Sequence, residues 1–208
     1  MTRLELVLVR HGETEWTDRG LLHGRLDSPL SLTGRRHAEL TARQLHGERF
    51  DALYTSPRGR ALQTASILGA AVGRTPQPLD GLQEADYGWM EGRPIRLFEP
   101  DGTVPRLLRL VVRLSIGLTG ERHGKFSRRV GAAVEQLIER HPRARLLVVT
   151  HWGVLSITVA LLVDRDTKVW RRYGPWAACG IAELRAAEDS WRVVRMNERS
   201  HLHDKKQL

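Results

Sequence analysis

His11, His151, Arg10 and Arg60 are the residues of this 208-residue chain best suited to covalent phosphorus chemistry. A phosphoryl group spreads negative charge over its equatorial oxygens, and its transfer consists mostly of holding those oxygens while an in-line nucleophile and a leaving group exchange places. Two guanidinium forks and an imidazole donor suit that clamp, because charge-assisted bonds from Arg are about twice as strong as neutral ones. Neutral imidazole, with an unperturbed pKa of about 6.5, attacks phosphorus at physiological pH. His11, set between Arg10 and Gly12, is the better nucleophile, and the neighbouring Arg charges favour its neutral form. A leaving alkoxide also needs a proton donor. The acidic loop Glu84-Ala85-Asp86-Tyr87-Gly88-Trp89-Met90-Glu91-Gly92 offers three carboxylates, and spacing alone does not choose among them.

These groups lie far apart in sequence, so secondary structure must gather them. Leu4–Val9 reads as a strand that ends in Arg10-His11-Gly12, and Leu146–Val149 as a second that ends in Thr150-His151. A third, Asp51–Thr55, is closed by Ser56-Pro57, after which Arg58–Ala71 is a helix with Arg60 in its opening turn. Thr33 is expected to cap a helix through Leu45, Pro76 and Pro78 to break the pattern, and Leu82–Gly92 to be irregular. Further helices are expected at Arg106–Leu118, Arg128–Arg140 and from Gly153 to Val163. Antiparallel strands are expected at Cys179–Leu184 and Trp191–Met196, and a frayed polar tail at 197–208.

Alternating strands and helices imply an α/β fold with a largely parallel sheet, whose right-handed crossovers line up the carboxyl ends of the strands. Ligands bind at that edge. Arg10, His11, Arg60 and His151 would then meet at one place, which none of them would indicate alone.

Composition narrows the partners. Lys and Arg outnumber Asp and Glu by 33 to 24, giving +9, and nearly all of the positive charge is Arg. That balance favours anionic partners. A small phosphorylated metabolite fits, whereas nucleic acid is disfavoured because no helix carries a dense basic run and the interleaved aromatics of a single-strand binder are absent. A single Cys179 excludes a disulfide framework and any multi-cysteine metal site. No membrane span is expected, since the longest apolar stretch, Leu107–Leu118, is short and interrupted by Arg109 and Arg113; a cytoplasmic location follows by default. The Arg106, Arg109 and Arg113 stripe reads first as a solvated helix face and second as a substrate-facing lid.

Taken together, Leu8-Val9-Arg10-His11-Gly12-Glu13-Thr14-Glu15-Trp16 resembles the opening signature of the histidine phosphatase superfamily, phosphoglycerate mutase-like branch. Ser56 to Ala65 is similar to its second block, Leu82-Gln83-Glu84 through Glu91-Gly92 to its third, and Val149-Thr150-His151 to its last. The length makes one domain over 1–208 the expectation, with 94–125 the substrate-facing cap segment of the lid reading; the resemblance implies a three-layer α/β/α sandwich with no metal or cofactor. It implies His11 as the phosphorylated nucleophile, Glu84 as the acid that later activates water, and Arg10, Arg60 and His151 as the phosphate pocket. Thr17 stands where the family usually places an Asn that touches the phosphoryl group, and Trp152 where it usually has Gly. Glu91, where mutases of the family tend to carry Gln, favours a metal-independent phosphomonoester hydrolase over a mutase-type phosphotransferase. A non-catalytic phosphate or nucleic-acid binding protein is the third reading, and an oligomer is compatible with all of them.

Overall fold

Strict alternation along strands covered on both faces sorts the core into two halves. In a computed structural model, which describes residues 4–97, 105–188 and 190–203, β1 (Glu5–Arg10) sends Leu6 and Leu8 to one side and Val7 and Val9 to the other, all four buried. The side chains at 97, 106, 108, 109, 112 and 113 lie outside that description.

A short α1 (Glu15–Asp18) interrupts the loop after β1, and α2 (Leu32–Leu45) leads to β2 (Ala52–Thr55). Then α3 (Gly59–Val72) returns to β3 (Pro76–Pro78), followed by three single turns, α4 (Arg106–Thr119), α5 (His123–Arg140) and β4 (Arg145–Thr150). After α6 (Trp152–Val159), which continues as a wider turn through Asp164, β5 (Ile181–Ala186) and β6 (Trp191–Glu198) close the sheet. Strand order is β3-β2-β4-β1-β5-β6, with the first four parallel and β5 and β6 antiparallel.

Val7, Val9, Leu53, Leu147, Val149 and Ile181 pack against Ala38, Ala42 and Leu45 of α2 and Ala61, Ala65 and Leu68 of α3. On the opposite face Leu6, Leu8, Tyr54, Leu146, Val148 and Leu184 meet Phe126, Val130, Val134 and Leu137 of α5 and Val154 and Leu155 of α6. These are the expected three layers. Each buried Leu or Val contributes about 1.5–3 kcal/mol.

Several boundaries differ from the sequence expectation for local reasons. Ser31, not Thr33, caps α2, its side chain accepting from the Gly34 amide at 3.2 Å. Pro76 and Pro78 do not end regular structure; they form an edge strand, a position where a missing N–H is tolerated. α5 begins five residues earlier than Arg128. The tail is not frayed from Asn197: β6 runs to Glu198, Leu202 packs against the α2 side of the core, and His201 Nε2 lies 3.0 Å from Thr41 Oγ1; residues 204–208 lie outside the described residues. The helix expected at Arg106–Leu118 is α4, although the side chains of Arg106, Arg109 and Arg113, and residues 98–104 of the expected cap segment, also lie outside them. No described helix is long and apolar enough to cross a membrane.

Candidate active site

β1 and β4 are parallel neighbours in a register that sets Arg10 opposite Thr150, so the residues that follow, His11 and His151, leave the same edge of the sheet together. Their ring centroids are 5.1 Å apart, edge to face, and both are buried. β2 lies on the far side of β4, and the turn after it delivers Ser56 and the first turn of α3, with Arg60 fully buried.

The imidazole of His11 is held in one tautomer. Nδ1 lies 2.8 Å from the Gly12 carbonyl, which can only accept, so Nδ1 carries the proton. Nε2 therefore presents its lone pair, and it accepts from Nε of Arg60 at 3.3 Å. Burial, then the Arg60 and Arg10 charges, hold the His11 pKa well below the ordinary histidine value. The ring is neutral at physiological pH.

The remaining Arg60 donors reach the 24–27 loop. Nη1 donates to Leu26 O at 3.0 Å and to Asp27 Oδ1 at 3.1 Å, and Nη2 donates to Gly24 O at 2.8 Å. Asp27 also accepts from the Gly59 and Arg60 amides, which caps α3 in place of the absent side-chain cap from Arg58. Arg60 thus fixes the pocket wall as well as facing His11. Arg10 donates through Nη1 to Trp176 O at 2.5 Å, while its Nε is buried without a partner. His151 resembles it: Nε2 lies 2.8 Å from Ser56 Oγ, and Nδ1 is buried without a partner. Buried polar nitrogens without a partner are costly, and Arg10 Nε–H, which can only donate, faces the pocket as a ready donor for an anionic ligand.

Glu84 is buried beside them. Its Oε1 accepts from the Ala85 amide at 2.9 Å and its Oε2 from the Gly153 amide, in the first turn of α6, at 3.0 Å. Gly153 has to be glycine here, because a Cβ would overlap Glu84 Oε1. Desolvation raises the carboxyl's pKa, against the pull of these amides and of Arg60 and Arg10. Of the three carboxylates in its loop, Glu84 alone is buried. Asp86 accepts from the Gly88 amide and sits 3.9 Å from Arg25.

Glu91 does not face the pocket as a free charge. Oε1 accepts from the Arg25 and Tyr87 amides, each at 2.9 Å, and Oε2 from the Leu26 amide at 2.6 Å. It anchors the loop that holds Arg60. Thr17 likewise has another partner: its hydroxyl and that of Thr14 form a reciprocal cap at the start of α1, with Oγ1 atoms 3.1 Å apart. Trp152 is half-buried and packs beside Gly174 against the α5 side of the core.

One residue that sequence reasoning left unassigned joins the group. His23 has its ring 6.4 Å from that of His11 and its Nε2 2.7 Å from Thr14 Oγ1. Burial, then Arg60 and Arg10, lower its pKa to about 3. Its place beside Gly24, just before the loop that Glu91 and Arg60 hold, was the only signal available. Among the described residues no three His, Cys, Asp or Glu side chains are placed to hold a metal ion.

The sequence profile of the histidine phosphatase superfamily (branch 1) matches residues 6–199. The chain is 27% identical over 198 residues to an uncharacterized phosphatase, PhoE, of Bacillus subtilis, covering 94% of this chain and 95% of the relative. It is 30% identical over 191 residues to a probable phosphoglycerate mutase, GpmB, of Yersinia pestis, covering 90% and 87%. Among solved structures, a putative alpha-ribazole-5'-P phosphatase from Escherichia coli superposes with a TM-score of 0.82 at 26% identity, covering 95% and 97%.

Proposed function

The chain belongs to the histidine phosphatase superfamily (branch 1), and from that premise we propose that it hydrolyses a small phosphomonoester through a phosphohistidine formed at Nε2 of His11. The observation that carries the proposal is the His11 tautomer: a neutral ring whose Nε2 lone pair, met only by Arg60 Nε–H, sits at the end of β1 among Arg10, Arg60 and His151.

An incoming phosphoryl group meets the His11 lone pair in line and takes over the Arg60 Nε–H that the lone pair now accepts. Its equatorial oxygens also meet the partnerless Arg10 Nε–H and, with Ser56 donating to His151 Nε2, the Nδ1–H of His151. As the Nε2–P bond forms, the ester P–O bond breaks, and protonated Glu84 gives its proton to the departing alkoxide. The carboxylate left behind takes a proton from water, whose oxygen attacks phosphorus and releases inorganic phosphate and neutral His11. A carboxyl whose pKa is raised by burial suits both halves of that cycle.

The mutase reading uses the same first half and is supported by the probable mutases among the relatives. A panel of phosphomonoesters, assayed on wild type and His11→Ala with and without 3-phosphoglycerate and 2,3-bisphosphoglycerate, separates the two. Phosphate release without interconversion of phosphoglycerates is expected. Interconversion without net phosphate release assigns the mutase, and activity retained by His11→Ala removes both.

A further inference from the structure

Outside the pocket, the least conventional surface is α4. Leu107, Leu110, Val111, Leu114 and Leu118 recur at helical spacing along one face, and all five are exposed, by 52% to 81%. Single exposed leucines need no explanation, whereas five in a row on one helix form a contiguous apolar patch of the kind that marks an interaction surface. The opposite side of the helix packs on the body through Ile116, against Leu22 and Met90.

Charge says what the face meets. From Pro105 to Gly120 there is no acidic residue, while the segment contains Arg106, Arg109 and Arg113. Beside the helix Trp89, 41% exposed, donates through Nε1 to Ser115 Oγ at 2.8 Å and lies under the Arg93 guanidinium. At the carboxyl end of α4, Gly117, Leu118, Gly120, Arg122, Gly124, Lys125 and Arg128 line an open cleft of about 610 Å³. Arg122 ties the cleft to α4 by donating to Gly117 O at 3.4 Å.

An apolar stripe on an acid-free helix, with an amphipathic indole and Arg93 at its side and a basic cleft at its end, is the make-up of a helix that lies in a membrane interface. A second copy of the chain fits less well, since a two-fold axis on this face would bring two acid-free helices and their two basic clefts against one another. We propose that α4 docks on an anionic lipid surface, its leucines in the acyl boundary and lipid headgroup phosphates in the Arg122, Lys125 and Arg128 cleft. The helix spans fourteen residues, and interfacial docking does not require it to cross the bilayer.

Co-sedimentation of the full chain with phosphatidylcholine vesicles, with and without phosphatidylserine, tests it. Wild type is expected to pellet with the phosphatidylserine vesicles, to shift its Trp emission to the blue, and to be released by salt. Leu110→Ser combined with Leu114→Ser changes two exposed positions. It is expected to weaken partitioning at least about tenfold while leaving thermal unfolding unchanged. Arg122→Gln with Lys125→Gln and Arg128→Gln is expected to lose the preference for anionic lipid. Binding to neither vesicle, or equal binding by the serine variant, overturns the proposal. So does a concentration-dependent dimer in sedimentation velocity that the serine variant abolishes, which would assign the face to a second copy.

Discussion

Lowering the pH from 7.0 to 5.5 should destabilise this protein, because the buried His11 and His151 and the half-buried His23 must stay neutral for it to fold. His11 and His151 have pKa values well below the ordinary value, and His23 is held at about 3, burial being the leading cause in each case. In the unfolded chain all three titrate near the ordinary value of about 6.5. Between that value and each folded pKa, the unfolded state binds more protons than the folded one, so stability falls as pH falls through the window. For His23, held at about 3, the loss between pH 7.0 and 5.5 is about 1 kcal/mol, and His11 and His151 add losses of the same sign, against a typical total of about 5–15 kcal/mol. Glu84 works in the opposite direction. Its folded pKa is raised, so it takes up a proton earlier in the folded state and offsets part of the loss on acidification. Urea denaturation across this pH range measures the slope directly. His23→Gln, which keeps a donor and acceptor for Thr14, should remove about 1 kcal/mol of that loss, the share of His23 itself. A stability that is flat over this range, or a His23→Gln profile as steep as wild type, would refute the burial argument.

Glu84→Gln should lower kcat by about 10²–10⁴ for substrates with poor leaving groups and much less for p-nitrophenyl phosphate, whose leaving group needs no proton; a Brønsted series of aryl phosphates reads the difference. Because the raised carboxyl must be protonated for the first half-reaction, wild-type kcat/KM should fall on the alkaline side as Glu84 ionises, and this limb should vanish in Glu84→Gln. Thr17→Ala should cost about 0.5–2 kcal/mol of stability as a lost cap partner while leaving KM unchanged, whereas a raised KM would return Thr17 to the substrate site. Glu91→Ala would strip three backbone amides of their acceptor and loosen the Arg25–Asp27 wall around Arg60, so thermal unfolding should shift down by several degrees and KM should rise.

The parts of the site that could be read in the sequence were those attached to apolar runs. β1 and β4 are unbroken or nearly unbroken hydrophobic strands that end in a histidine, and parallel-sheet logic then brings their ends together without any knowledge of contacts. Arg60 was legible for the same reason, at the start of a helix that follows a strand. What could not be read depended on loops folding back. Whether Glu91 is a free charge or a loop anchor is decided by amides contributed from residues 25, 26 and 87. Thr17 and Thr14 find each other because α1 forms inside a stretch that looks irregular in sequence. His23 enters the pocket only through the path of the 20–27 loop. The edge strand β3 was hidden because proline argues against strands generally, and only its edge position, known from the sheet order, makes it acceptable.

The most direct test of His11 as the group that takes the phosphoryl is rapid quench of the enzyme with a turned-over phosphomonoester, followed by peptide mass spectrometry under alkaline conditions. The expected result is an acid-labile, alkali-stable phosphoryl group on the peptide containing His11, present in wild type, enriched in Glu84→Gln and absent from His11→Ala. A phosphoryl group on any other residue, or full turnover by His11→Ala, would contradict it.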